Sequence, residues 1–442
     1  MKLLFISSNR LRRVMPPMPL GLASVIAQID ESRHEIKALD LMFAEQPEAE
    51  LRSVLSAYAP DLIGISVRNV DNQSYLHTEY LLPHAKAVVA QCRENSGATI
   101  VVGGSAFSIS PIAIFDYLAP DFGVVGEGEL VFRDLVDRLE KRADWSDLPG
   151  LVWRVPAGRG PEGRTPEGVR MNPQRHIDNM DSLRPPRREL FDNQRYATEG
   201  GLANVVVKQG CAFRCLYCDG PYAMGRGWRM KSPEKVADEV ESLEKDIGVN
   251  VAYFSDAIFN CPVEHAKEVC RAIIRRKLNM HWASSFHPAF ADRGLVELMR
   301  EAGCSVISLG CDSGSEKMLK VLRKGFRKEH LRAAMDLLEE MEINYILSLL
   351  IGGPGENRQT VEETVDFLKD RHPFMLDFCV GIRLMPGTAL RDIAVNEGVI
   401  RADDPLMEPK FYISADVKDW VADYLTGVCS EHPNWTVAHN QP

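Results

Sequence analysis

The sequence has no apolar run long enough to cross a bilayer: the longest, YILSLLIGG (345–353), falls far short of the roughly 20 residues a spanning helix needs. It also has no secretory leader pattern. The opening MKLLFISSNRLRR has a lysine and a short apolar stretch, but charge follows at once without a small-residue cleavage site, so it reads as a first strand. There is no excess of positive charge. With 52 Lys and Arg against 62 Asp and Glu the formal charge is −10, which argues against an extended nucleic-acid surface, because duplex binding relies on neutralising phosphates. Nor is there a disulfide framework, since the ten cysteines of this long chain stand singly except for one group. The expectation is a cytoplasmic protein with no membrane span and no nucleic-acid partner. Two basic stretches, LRPPRREL (183–190) and MGRGWRMK (224–231), flank the cysteine group and suit either an anionic substrate or solvent.

What is present is enough core for two or three domains, at 442 residues and 45% hydrophobic. Residues 1–142 alternate apolar strand patterns (2–8, 34–41, 61–67, 98–104, 121–127) with helical ones (20–29, 47–59, 74–95, 110–118 and one after 129). That order predicts an α/β, doubly wound, Rossmann-like parallel sheet. Ligands on such sheets sit beyond the carboxyl ends of the strands at the switch in strand order. Strands one and three meet there, which makes Ser7, Ser66, Arg68 and Asn69 candidate contacts and Asn72 and Gln73 lesser ones. Residues 143–200, with a stretch rich in Gly, Pro and Arg at 155–175, read as a hairpin and linker. From 201 to 392 six strand–helix units return, predicting a partial (β/α)6 barrel with its site at the carboxyl ends of the strands. Ser232 and Pro233 suit the start of a helix over 233–246. Residues 393–442 form a short C-terminal region, with Trp420 and Trp435 but little periodicity.

The chemistry concentrates in GCAFRCLYCDGPYAMGRGW (210–228), the loop after the first barrel strand. Cys211, Cys215 and Cys218, with gaps of three and two, can wrap one loop around a cubane cluster and place a thiolate on each of three irons. The fourth iron then stays open as a binding position, as in catalytic zinc sites. A zinc knuckle would instead need a fourth ligand close by, and His265, His281 and Cys261 belong to later units.

CAFRCLYC resembles the CxxxCxxC motif of radical S-adenosylmethionine (SAM) enzymes, including the aromatic Tyr217 before the last cysteine. The resemblance implies a 4Fe-4S iron-sulfur cluster whose open iron is filled by SAM, reductive cleavage of the sulfonium, and an external electron donor of flavodoxin or ferredoxin type. It extends over about 200–390. LLIGGPGENRQTVEETVDF (349–367) is similar to the fifth-strand segment, with Gly352, Gly353 and Pro354 near SAM. LGCDSGSEKMLKVLRKGF (309–326) is similar to the fourth, with Asp312 where the family has glutamate. YFSDAIFN (253–260) resembles the second, with Ala257 in place of a second aspartate after Asp256. GIRLMPGTAL (381–390) matches the sixth, placing Arg383 to clamp a substrate carboxylate, and His287 ends the third strand facing substrate.

The N-terminal segments resemble the cobalamin-binding domain of the cobalamin-dependent subfamily: PPMPLGLASVIAQI (16–29), DLIGISVRN (61–69), IVVGGSAFSISP (100–111) and FGVVGEGEL (122–130). The resemblance implies contacts to the corrin or its tail from Gly103, Gly104, Gly126, Glu127 and Gly128. The D-x-H-x-x-G motif of histidine-ligated carriers is absent, and His34 is expected on the surface. Arg68 or Asn69 would then cover the lower face of the cobalt. The whole implies a cobalamin-dependent radical SAM methyltransferase, acting on an unactivated carbon or a phosphinate phosphorus of a small-molecule or natural-product substrate. A non-methylating rearrangement, cyclisation or other group transfer is the alternative within the fold, and product mass separates the two. A cobalamin sensor or carrier would lack iron. A methylthiotransferase would have three further cysteines in residues 1–150, which hold only Cys92.

Overall fold

The computed structural model describes residues 1–12, 15–155 and 168–437. Two compact units emerge: Met1–Asn72 with Tyr80–Gly201, and Gln73–Glu79 with Leu202–Pro442.

The first unit is an α/β layer structure. Strands β1 (Lys2–Ser7), β2 (Glu35–Asp40), β3 (Leu62–Ser66), β4 (Thr99–Gly103) and β5 (Phe122–Val124) pair in parallel in the order β2-β1-β3-β4-β5. Leu3, Leu4, Phe5 and Ile6 are fully buried because β1 is central and covered on both faces. Phe5 meets Phe132 at 5.3 Å between ring centres, and Gly64 leaves that ring its space. The hairpin of β6 (Leu151–Val155) and β7 (Gly168–Met171) extends the sheet in antiparallel fashion; the Gly- and Pro-rich stretch expected between them, 156–167, lies outside the described residues. His34 is 4% exposed, and so is buried where the surface was expected.

The helix expected from 74 begins only at Leu82 (Leu82–Asn95), with Pro83 in its first turn, a position proline favours. Residues 73–79 group with the second unit. There the Tyr75 ring stands 5.7 Å from that of Phe411 and fills the space a side chain at Gly381 would need.

In the second unit six parallel strands follow in sequence order: β8 (Ala203–Val205), β9 (Val251–Phe254), β10 (His281–Phe286), β11 (Cys304–Asp312), β12 (Asn344–Ile351) and β13 (Met375–Val380). A seventh, β14 (Trp435–Val437), adds to the edge beside β13. Its three residues are too few to show a period in the sequence. Strand alternation separates two faces. Phe254, Trp282, Leu309, Leu347 and Phe378 are fully or almost fully buried, whereas Tyr253, Ser285, Ser308, Ser348 and Asp377 between them keep some exposure. The strand expected within GIRLMPGTAL does not continue β13: the chain breaks at Gly381, at φ +76, and Ile382–Arg383 pairs instead with Phe411–Tyr412.

Candidate active site: a three-cysteine loop beside a buried ion pair

The cysteine loop is held at its base by an antiparallel ribbon of Lys208–Gln209 and Arg229–Met230. Gly210, at φ +92, lets the two arms close: a Cβ there would lie 1.9 Å from the Gly227 oxygen. The Cys211 N–H donates to the Gly225 carbonyl at 3.0 Å. In mid-loop the Leu216 N–H donates to Leu322 O (2.9 Å) and its carbonyl accepts from Leu390 N–H (3.0 Å). Its side chain is buried with Leu322, Ile382, Leu384 and Leu390. The loop is thus set on packed elements before any ligand arrives.

Cys211 is buried and Cys215 and Cys218 are half-buried. Burial raises all three thiol pKa values, that of Cys218 to about 11, and the Gly220 N–H points at the Cys218 sulfur from 3.4 Å. Among the described residues only His34, Asp137 and Glu140 bring three His, Cys or carboxylate ligand atoms within 4.8 Å of one another. The three sulfurs therefore stand wider than one tetrahedral zinc allows, since Zn–S bonds of about 2.3 Å bring sulfurs to roughly 3.8 Å.

Beside the loop, Asp312 ends β11 in the left-handed region, at φ +61. The Tyr217 hydroxyl donates to its Oδ2 at 2.5 Å, and the Lys324 ammonium lies 2.8 Å from the same oxygen. Tyr217 is consequently held well above its usual pKa, first by burial and then by the carboxylate. Lys324, 7% exposed, was not singled out in the sequence; its only sign was a lysine inside the 309–326 segment.

His287 is buried, and its ring stacks on Phe213 at 4.4 Å. Nδ1 accepts from the Ala289 N–H, so Nε2 carries the proton and donates to Lys324 O at 3.2 Å. Burial, then the Lys324 charge, pushes its pKa down to about 4. It is a neutral brace between the loop and the lysine turn. Arg383 is buried with its donors on the carbonyls of Leu384 (2.5 Å), Lys410 (3.4 Å) and Leu406 (3.1 Å). Asp256 makes an ion pair with Lys208 at 3.0 Å and accepts the N–H groups of Val207 and Lys208. In the 350s segment the buried Glu356 accepts from the Gly352 and Gly353 N–H groups, its other oxygen has no partner, and burial raises its pKa to about 7. Side-chain space at Gly352 is taken by Ile413 and at Gly353 by Met318, while Pro354 is half-buried next to them.

In the first unit Ser7, Ser66 and Gly103 lie side by side at the carboxyl ends of β1, β3 and β4. The Tyr196 hydroxyl donates to Asp40 Oδ2 at 2.7 Å, and burial raises the Asp40 pKa. Arg68 reaches solvent, although surrounding protein lowers its pKa. The Asn69 amide donates to Arg68 O (3.3 Å) and accepts from Arg68 Nη1 (3.2 Å). Gly104, at φ +103, abuts the Val67 backbone; Gly126 faces Gln174; Gly128 opens the helix Gly128–Glu140; Glu127 accepts the Ile177 N–H at 2.7 Å. Asn9 Nδ2, just past β1, is buried without a partner. An orphan donor at the carboxyl end of such a sheet suits a ligand rich in carbonyls, as the amide-bearing corrin is.

Residues 205–368 match the radical SAM superfamily and residues 12–136 the B12 binding domain. The chain is a radical SAM enzyme. It belongs to the cobalamin-binding branch of that family, with methyltransferase-like relatives. It is 26% identical over 423 residues to an uncharacterized methyltransferase of Pyrococcus horikoshii, covering 92% of this chain and 88% of the other. It is 28% identical over 431 residues to tryptophan 2-C-methyltransferase of Streptomyces laurentii, covering 85% and 72%. The fold superposes on TsrM from Kitasatospora setae, a radical SAM methyltransferase with cobalamin and a [4Fe-4S] cluster bound, at a TM-score of 0.85, with 23% identity over 98% of this chain and 92% of the other. A second TsrM structure, with tryptophan and a SAM analogue bound, aligns at 25% identity and a TM-score of 0.78, over 90% and 76%. The two matched models are, by their descriptions, those of the radical SAM superfamily and of a B12 binding domain. No helix among the described residues is long and apolar enough to cross a membrane.

Proposed function

We propose that this chain is a cobalamin-dependent methyltransferase that places the methyl group on carbon in a polar small molecule. The observation that carries this reading is the accessible face of the second sheet. Tyr253, Ser285, Ser308, Ser348 and Asp377 line it; the Tyr253 and Ser285 hydroxyls share a hydrogen bond at 2.9 Å, and Asp377 accepts from Thr436 at 2.9 Å. Such a face favours a substrate with several hydrogen-bonding groups over a sterol-like hydrocarbon, which would cover the Ser308 and Ser348 hydroxyls without offering them a hydrogen bond, at about 1–3 kcal/mol each. The likeness to a tryptophan methyltransferase supports an amino-acid or indole-type acceptor.

When bound, the cofactors supply the radical and the methyl carrier; the protein supplies binding, orientation and electrostatics. Cys211, Cys215 and Cys218 would hold the cluster. Tyr217 and Asp312 stand beside them, and the Gly352–Gly353–Pro354 backbone is fixed by Glu356 to receive SAM. Ser7, Ser66, Arg68, Asn69 and the Gly103–Gly104 and Gly126–Glu127–Gly128 turns would hold cobalamin. Arg383 and His287 would position the site, with Arg383 Nη1 and Nη2 and His287 Nε2 on backbone carbonyls and His287 Nδ1 on the Ala289 N–H. An electron donor of flavodoxin or ferredoxin type reduces the centre in the cytoplasm.

The test is anaerobic incubation of reconstituted protein with cobalamin and methyl-labelled SAM against tryptophan, other indoles and a phosphinate. Label in a product heavier by one methylene unit, on a carbon, is the expected result. Label on phosphorus would move the acceptor class, and consumption of a substrate without label would sink the methyltransferase reading.

A further inference from the structure

The turn that follows the helix Glu316–Val321 is shaped around one side chain. Arg323 and Gly325, on either side of Lys324, are both left-handed, at φ +57 and +73, and so is Asp312 across from it. For the non-glycine residues this conformation is disfavoured by Cβ sterics, so the contacts it permits must offset it. Those contacts converge on the cysteine loop. Leu322 O accepts from Leu216, Lys324 O from His287, and a Cβ at Gly325 would stand 3.9 Å from the Phe213 ring. The ammonium itself lies 2.8 Å from Asp312 Oδ2 and 3.4 Å from the hydroxyl of Tyr217, the residue between Leu216 and Cys218. Both side chains of the ion pair are only 9% exposed.

We propose that Lys324 is an electrostatic positioning residue of the cluster site: its buried ammonium, balanced by Asp312 and braced through Tyr217, sets the charge that the thiolate-held cluster meets and so tunes how readily it is reduced. The sign follows from Coulomb's law. A nearby cation favours the more negative, reduced state and a nearby anion disfavours it, with little screening because the pair is buried. The pair as a whole is close to neutral, so the two halves pull in opposite directions. This rests on the cluster assignment, which iron content checks separately.

The experiment is a redox titration followed by electron paramagnetic resonance, on reconstituted full-length protein without SAM, for wild type, K324M, K324R and D312N, each with iron per chain measured. K324M leaves Asp312 uncompensated and is expected to shift the reduction equilibrium toward the oxidised cluster by at least about tenfold, which for one electron is about 59 mV. D312N leaves Lys324 uncompensated and is expected to shift it by a similar amount the other way, and K324R to stay within about threefold of wild type. Lysine acting only as packing predicts no opposed shifts: iron-loaded K324M and D312N that move together, or not at all, would overturn the proposal. If K324M takes up no iron, D312N and K324R decide: D312N at the wild-type potential, or K324R moved as far as D312N, would overturn it equally.

Discussion

The Lys208–Asp256 pair offers the sharpest test of how the site is held. Its side chains are 1% and 0% exposed, with Nζ 3.0 Å from Oδ2. Asp256 Oδ1 receives the Val207 and Lys208 N–H groups at 2.8 and 3.1 Å, and Nζ also donates to Phe259 O at 2.9 Å. The pair thereby joins the ribbon under the cysteine loop to the loop after β9. Removing one partner strands a buried charge, which costs about 3–5 kcal/mol. K208M and D256N should each destabilise the second unit by that amount. In K208M/D256N no charge is stranded, and the side-chain amide oxygen that replaces the carboxylate can still accept the two N–H groups. The double variant should then cost only the hydrogen bonds of Nζ, about 1–3 kcal/mol, less than either single change. Urea unfolding read by peptide-resolved hydrogen exchange separates peptides of the second unit from those of the first, and only the former should shift. A double variant that costs the sum of the singles would refute the reasoning, because the two charges would then not be coupled.

Three further outcomes follow from the same geometry. Gly210→Ala, strained by its φ of +92 and by the Gly227 oxygen, should lower iron uptake and cost about 1–3 kcal/mol, whereas Gly97→Ala, with no atom within 4 Å of its Cβ, should do neither; iron analysis and thermal unfolding check both. His287 has a folded pKa of about 4 against an ordinary 6.5, so the unfolded chain binds its proton first. Its stability contribution is complete above pH 6.5 and lost as pH falls toward 4, by up to about 3 kcal/mol, and H287Q should flatten that limb of a urea-unfolding pH profile. Glu356 has the opposite sense. Its folded pKa of about 7 exceeds the ordinary 4.5, so its contribution is complete below pH 4.5 and lost as pH rises toward 7, and E356Q should remove that loss from the same profile.

The sequence by itself determined the two sheets and the gathering of three cysteines in one loop. Strand cores such as KLLFIS in β1 and LIGIS in β3 are buried by their own composition, and three cysteines in eight residues need no distant partner to define a ligand set. Local pattern could not determine what depended on residues far apart. His34 looks solvated in its polar surroundings, yet it is buried near Met1 and Glu140. β14 has three residues and exists because β13, far earlier in the chain, offers it an edge. Residues 74–81 have a helix-like composition, but Pro83 delays the helix and Tyr75 packs against Gly381. Arg383 and His287 carry the side chains of a reactive site, and only the positions of carbonyls from Leu384, Leu406 and Lys324 show that their donors are already taken. Lys324 is one lysine among many until the fold buries it against Asp312 and Tyr217. A charge acquires its role from the water it loses and the partners it meets, and both are set by tertiary contacts that a linear pattern does not carry.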